Sequence, residues 1–413
     1  MTNTRDWKEI LLNRKMLICI FQGFSSGMPL YVLIQLVPAW LRSEGIDLAT
    51  IGLFNLVMIP YAWKFIWAPL LDRYKLPFLG RRRGWSLISQ FMLLASISSL
   101  GLINPSIQIQ IAIWLVFATS FFSATQDIVL DAYRREILKD DELGIGNSIF
   151  INAYRISSLI PGSLALILSD FIPWSTVYPI VGSFMIVGII TTFCIPESSE
   201  ENIAPGSIKE AIIEPFFEFF SRKGGVKNAL AIIIFMLLYK LGDSMATALA
   251  TPFYIDLGFT LTEIGTVAKF SALWASIVGT IIGGLAMLKL SINRALWIFG
   301  LVQIISILGF AILAKIGNSI PVLFAVVSFE YLGVSLGTVA LTAFMAKQTN
   351  LSFTATQFAL LTSIMVIPRT FANASTGYII NSVGYFEFFI ICTLAAVPGM
   401  MLLLIVAPWN KEN

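Results

Sequence analysis

The sequence predicts an all-α membrane protein of about twelve transmembrane helices, arranged as two six-helix bundles related by a pseudo-two-fold axis. Three observations predict it: a composition too apolar for water, a succession of span-length apolar segments, and a likeness between the two halves of the chain. Of 413 residues, 57% are hydrophobic and 12% are charged. A soluble chain carries about a quarter charged residues, so most of this surface must face lipid.

A span needs about 20 mainly apolar residues. Segments of that kind start near Met16, Leu48, Trp85, Ile107, Gly144, Trp174, Lys227, Leu261, Ala295, Ile320, Phe353 and Phe386. Met1 to Lys15 is polar, and the apolar run after it is too long for a signal-peptide core, so it reads as a retained first span. The expected organisation is an amino-terminal bundle over 1–195, a cytoplasmic linker over 196–226 and a carboxy-terminal bundle over 227–413. The linker opens on a charged stretch containing Pro and Gly, Pro196 to Gly206. Ile208, Ile212, Phe216 and Phe220 then recur at every fourth position, with Lys209, Glu210, Glu214 and Glu218 between them. That spacing predicts an amphipathic helix lying at the membrane interface.

The halves share a local pattern. Gly45 to Gly52 (GIDLATIG) leads into span two, and Gly258 to Gly265 (GFTLTEIG) leads into span eight. At nearly the same offset, Arg155 precedes Gly162 and Arg369 precedes Gly377. Two parallel halves with a site near the bilayer midplane describe the major facilitator fold.

Basic residues set the orientation. With a cytoplasmic amino terminus, the cytoplasmic loops hold Arg14, Lys15, Arg73, Lys75, Arg81, Arg82, Arg83, Arg134, Arg135, Lys139, Arg222, Lys223, Lys227, Lys289 and Arg294. The opposite loops hold Arg42 and Lys315. An even number of spans then puts both termini in the cytoplasm.

Composition excludes several function classes. A net charge of +3 gives no argument for a nucleic-acid partner. Cys19, Cys194 and Cys392 lie in apolar runs with neither a disulfide framework nor metal-ligand spacing. Histidine is absent, so proton chemistry falls to carboxylates or to a lysine with a displaced pKa. No metal and no cofactor is expected.

A charge at mid-bilayer costs about 2.5–3.5 kcal/mol on insertion scales, so each one kept there is a functional candidate. These are Lys64, Arg155, Lys240, Lys269 and Arg369 against Asp127, Asp131, Asp243 and Glu330. At about 1.5 Å rise per residue, Arg155, Glu330, Lys240, Asp243 and Arg369 fall near the middle of their spans. Lys269 falls in the outer half, Lys64 and Asp127 in the cytoplasmic third, and Asp131 at the mouth. Each charge also has a structural reading. Asp131 can pair with Arg134 or Arg135, Lys240 with Asp243 three residues on, and Lys64 can snorkel. The cationic surplus of the inner set suits an anionic polar solute. Asp127, Glu330 and Asp243 are the proton-coupling candidates.

Longer motifs resemble a known family. Leu70 to Trp85 (LLDRYKLPFLGRRRGW) resembles the loop between spans two and three of the major facilitators, in the stretched form of the AmpG muropeptide permeases. Ser123 to Ala132 (SATQDIVLDA), Leu238 to Asp243 (LYKLGD), Ser352 to Leu361 (SFTATQFALL) and Ala396 to Gly399 (AVPG) resemble that family's span signatures in order. The resemblance implies proton-driven import of anhydromuropeptides, GlcNAc-anhydroMurNAc with or without its peptide, across the bacterial inner membrane for cell-wall recycling. It implies a small anionic glycopeptide and protons as partners of a chain acting as a monomer in the bilayer. Carried over by motif, Gln126, Asp127, Lys240, Asp243 and Gln357 become functional positions. Arg155, Lys269 and Arg369 join them as substrate-binding candidates from their charge. Asp72, Arg73, Arg81, Arg82 and Arg83 become a gating loop, with anchoring to anionic lipid as the other reading of the arginines.

The chain departs from the family pattern in two places. Ala268 and Tyr331 stand where it has Asn, and the two lost amides fit a different or narrower solute. Well-known members are also longer. A facilitator for another anion (a nucleotide, coenzyme A ester or sugar phosphate) shares most of these features. Asp127 and Asp131, four residues apart, also match one half of a Mg-dependent prenyl-transfer site, but no second acidic cluster completes it.

Overall fold

The computed structural model describes residues 13–76, 80–138, 143–197, 214–221, 225–287, 289–348 and 354–410. Among them the structure is helical throughout, apart from one isolated bridge between Leu76 and Gly80. The helices in chain order are α1 (Arg14–Ser43), α2 (Leu48–Trp63, continued by Ala68–Arg73), α3 (Arg82–Leu100) and α4 (Ile109–Ile137). There follow α5 (Leu143–Ile156, continued by Ile160–Leu164 and Ala165–Ser169), α6 (Trp174–Cys194), α7 (Gly225–Asp256) and α8 (Leu261–Met287). The last are α9 (Ile292–Ile316), α10 (Ile320–Lys347), α11 (Thr354–Val383) and α12 (Tyr385–Val406). These match the expected spans to within a few residues. Nine stretches among the described residues are long and apolar enough to cross a membrane, and α2 is a shorter apolar helix. In α3 the polar side chains Ser86, Ser89, Gln90 and Ser96 are buried inside the protein, so its outer face remains apolar.

The chain divides into two compact units, Met1–Trp40 with Trp63–Ala204, and Leu41–Ala62 with Pro205–Asn413. In the first unit α1 packs on α5, α4 and α6, and α3 packs on α4 and α6. Gly23 and Gly27, one turn apart on α1, bring that helix against α5. A Cβ at Gly23 would lie 2.3 Å from the Phe150 carbonyl oxygen, and one at Gly27 would lie 2.4 Å from that of Tyr154. Small residues at this spacing permit such backbone contact.

In the second unit α10 packs on α8 and α9, α12 packs on α7 and α9, and the first turns of α2 pack on α11. The last contact is again through glycine. A Cβ at Gly377 would sit 1.9 Å from the Leu48 carbonyl oxygen.

The duplicated pattern has one local structure in both places. Gly45 and Gly258 take positive φ, 82° and 87°, which suits glycine. Two residues on, Asp47 caps α2 by accepting from the Thr50 amide at 2.9 Å, and Thr260 caps α8 by accepting from the Glu263 amide at 3.1 Å. The Thr50 hydroxyl and amide hold the Asp47 carboxyl below its usual range.

Within the linker, helix Glu214–Ser221 is described, and residues 198–213, with Ile208 and Ile212, lie outside the described residues. Phe219 is buried and joins the second unit's core with Phe220, while Phe217 is 71% exposed. The expected every-fourth-residue face therefore reaches the core at Phe220, and its neighbour Phe219 adds to the buried side.

Several helices carry irregular turns. α1 has a π-helical turn at Val32–Leu36, α5 at Ile160–Leu164 and α8 at Ile264–Lys269. α7 is interrupted at Lys240, whose φ of −107° and ψ of 1° leave the helical region. Such interruptions release backbone groups and re-aim side chains, and they collect at functional sites.

Candidate functional site

In the first unit, a pocket of about 400 Å³ is lined by Ser26, Tyr31, Asp127, Asp131, Arg134, Phe150, Ile151, Tyr154 and Arg155. Three of the charges picked out in the sequence, Asp127, Asp131 and Arg155, line it. α4 supplies Asp127, α1 supplies Ser26 and Tyr31, and α5 supplies the aromatic wall. The Ser26 hydroxyl donates to the Asp127 carboxylate. Tyr31 and Tyr154 meet edge to face with centroids 5.8 Å apart. Asp131 accepts from Arg134 at 2.9 Å, as its position at the mouth suggested. Gln126 is not a lining residue. It is fully buried, and its amide donates to the Ser25 carbonyl at 2.8 Å, tying α4 to α1.

The basic loop closes on its own unit. Arg82 reaches the Glu136 carboxylate on α4 at 2.7 Å, and Arg81 lies 3.5 Å from it. The Glu197 carboxylate accepts from the backbone amides of Arg82 and Arg83 at the start of α3, at 2.7 and 3.1 Å. An acid belongs at a helix amino terminus, where amides lack partners. The Arg83 side chain donates to the carbonyls of Thr192 and Phe193 on α6, both at 3.1 Å. The side chains of Asp72 and Arg73 lie outside the described residues, as does that of Gln357.

The second unit buries its charges more completely. At the break in α7, the Lys240 ammonium lies 2.5 Å from an Asp243 oxygen. It also donates to Gln303 at 3.1 Å and to the Val334 carbonyl at 3.3 Å. Gln303 in turn donates to the Tyr239 carbonyl at 3.0 Å, which patches the broken turn.

Glu330 on α10 is 0% exposed. The charges of Asp243 and Lys240 act on it, and the Ser306 hydroxyl beside it donates instead to the Gln303 carbonyl at 2.8 Å. Neither of its oxygens makes a hydrogen bond among the described residues. Lys269, 8% exposed on the π-helical turn of α8, donates to the Thr251 hydroxyl at 2.5 Å. Arg369 on α11 is exposed.

The two basic residues expected on the opposite side are both engaged. Arg42 pairs with Asp256 at 2.5 Å, and the Tyr385 hydroxyl donates to the other Asp256 oxygen at 2.6 Å. The Lys315 ammonium lies 4.1 Å from the centroid of the Phe386 ring.

Residues 19–351 match the family model of the Major Facilitator Superfamily. The chain is 39% identical over 390 residues to the anhydromuropeptide permease of Escherichia coli K12, covering 94% of this chain and 79% of that permease. The chain belongs to the AmpG-like permeases of the major facilitator superfamily. Other relatives match over most of this chain. An uncharacterized protein of Haemophilus influenzae is 47% identical over 98% of this chain and 97% of its own length. A Rickettsia felis transporter, AmpG 4, is 32% identical over 92% of this chain and 94% of its own.

Solved structures share the major facilitator fold at low identity. The nucleoside transporter NupG superposes with a TM-score of 0.73 at 12% identity, over 97% of this chain and 100% of that one. The D-xylose-proton symporter gives 0.74 at 11%, over 96% and 98%. Membership of this superfamily makes the chain a multi-pass membrane transporter and not an enzyme.

Sequence reasoning missed Ser26, Tyr31, Tyr154 and Gln303, which are uncharged and stood out in no motif. One signal was available for the first three. Gly23-x-x-x-Gly27 in an apolar stretch marks a helix-packing face, and these side chains surround it.

Proposed function

We propose that this AmpG-like permease imports anhydromuropeptides, GlcNAc-anhydroMurNAc with or without peptide, across the bacterial inner membrane, driven by protons. It acts as a monomer with both termini in the cytoplasm. The observation that carries the reading is 39% identity spread over 94% of the chain to a permease named for that solute.

The geometry supports a division of labour. In the first unit, Asp127 and Arg155 face a pocket, so both can meet a polar solute. In the second unit, Asp243 already holds Lys240, and Glu330 has neither a hydrogen bond nor an ion pair among the described residues. A carboxylate sealed in this way costs several kcal/mol as an anion, and a proton removes that cost. Glu330 is therefore the proton carrier. It holds the proton while sealed and releases it when a conformational change brings water to α10. The absence of histidine leaves this role to a carboxylate.

The test is uptake of labelled GlcNAc-anhydroMurNAc into cells lacking their own permease. The proposal expects accumulation that a protonophore abolishes. Protein present in the membrane without uptake would refute the solute. Uptake indifferent to the protonophore would refute the driving force.

A further inference from the structure

Resting on the proposed function, we infer that the first unit's pocket is the subsite for the saccharide end of the solute and not for its peptide. The lining carries the argument. Two half-buried aromatic rings, Tyr31 and Tyr154, share the wall with the polar groups of Ser26, Asp127 and Arg155, while a third, Phe150, is buried beneath the Arg134 guanidinium. A pyranose ring has C–H patches on its faces and hydroxyls around its edge. Aromatic rings take the first and a carboxylate and guanidinium take the second, since Asp127 accepts and Arg155 donates. The volume, about 400 Å³, falls in the range of small-molecule pockets.

The charge balance argues against a peptide. Two acids, Asp127 and Asp131, face two arginines, Arg134 and Arg155. Arg134 is committed besides. It donates to Asp131 at 2.9 Å and to Asn147 at 2.8 Å, and its guanidinium carbon lies 3.9 Å from the centroid of the Phe150 ring. The lining itself carries no cationic surplus for the carboxylates of a stem peptide, Lys64 beyond it acts on Asp127, and the uncharged, hydroxyl-rich GlcNAc ring meets no electrostatic penalty there.

The wall is also built in advance. Gly23 and Gly27 press α1 onto the backbone of Phe150 and Tyr154, and the edge-to-face contact between Tyr31 and Tyr154 sets one ring against the other. Rings already fixed lose little freedom when a sugar docks on them.

The experiment measures binding of radiolabelled GlcNAc-anhydroMurNAc, of the same disaccharide bearing its peptide, and of the free stem peptide to the purified full chain in detergent. Gel filtration and circular dichroism report folding of each variant. Tyr154→Ala is expected to weaken disaccharide binding about tenfold, and Tyr154→Phe to restore most of it, because the ring does the work. Tyr31→Leu, which keeps bulk without a ring, is the second variant and is expected to weaken binding in the same direction. The free stem peptide should not displace the disaccharide. The subsite is overturned if folded Tyr154→Ala or Tyr31→Leu protein binds the disaccharide as the unmodified chain does, or if the stem peptide displaces it. In both cases retained binding of the intact muropeptide leaves the proposed function standing. Failure of the unmodified chain to bind any muropeptide removes the proposed function, and the subsite with it.

Discussion

The two units treat their acidic residues in opposite ways. In the first, Asp127 borders a pocket and takes a hydrogen bond from Ser26. In the second, Asp243 is 3% exposed and bound to Lys240, while Glu330 is 0% exposed with no hydrogen bond among the described residues. Water can make up a lost partner at the first site but not at the second. The same side-chain chemistry therefore suits solute contact in one unit and proton storage in the other.

The sharpest way to break the contrast is at the α7 interruption. Lys240→Met leaves Asp243 buried without its cation. Losing one partner of a buried pair costs about 3–5 kcal/mol. The double variant Lys240→Met/Asp243→Leu should recover most of it, because the uncompensated charge is gone. Thermal unfolding of the purified protein in detergent checks both. Equal destabilisation by the single and double variants would show that the pair is not sealed from water.

A smaller effect is expected in the first unit. Ser26→Ala removes the donor to Asp127, and pocket water replaces it, so the loss should stay within about 1 kcal/mol. A loss as large as that of Lys240→Met would erase the distinction between the sites.

The smallest effect concerns the duplicated turn. Asp47→Ala removes the cap of α2 and should cost about 0.5–1 kcal/mol at neutral pH, at the low end for an exposed cap. Because Thr50 holds the Asp47 carboxyl below its usual range, the contribution is full above the unfolded-state pKa. It fades as pH falls through the lower folded-state value. Unfolding temperatures of the two proteins should therefore converge in strong acid. A gap that persists there would mean that the carboxylate is not the capping group.

Much of the fold was legible because its signals are local. Apolar runs gave the spans, and the turn pattern at Gly45 and Gly258 gave the repeat, whose two caps became visible only in the structure. The pairing of Lys240 with Asp243 could be read as one of two options, since residues three apart share a helix face. What was not legible depends on contacts between distant segments. No sequence feature tells that Gln126 turns into α1 while Asp127, its neighbour, turns to the pocket. Arg42 meets Asp256 across 214 positions, and Gln303 repairs a break in a helix 63 positions away. The interruption of α7 at Lys240 likewise carries no proline to announce it.

Proton movement accompanying solute entry is the most direct test of the role assigned to Glu330. In proteoliposomes loaded with a pH-sensitive dye, adding GlcNAc-anhydroMurNAc to the unmodified protein should carry protons inward. In Glu330→Gln, which keeps the shape and loses the titratable group, solute exchange should continue while the proton signal disappears. A proton signal of undiminished size in folded Glu330→Gln protein would contradict the account.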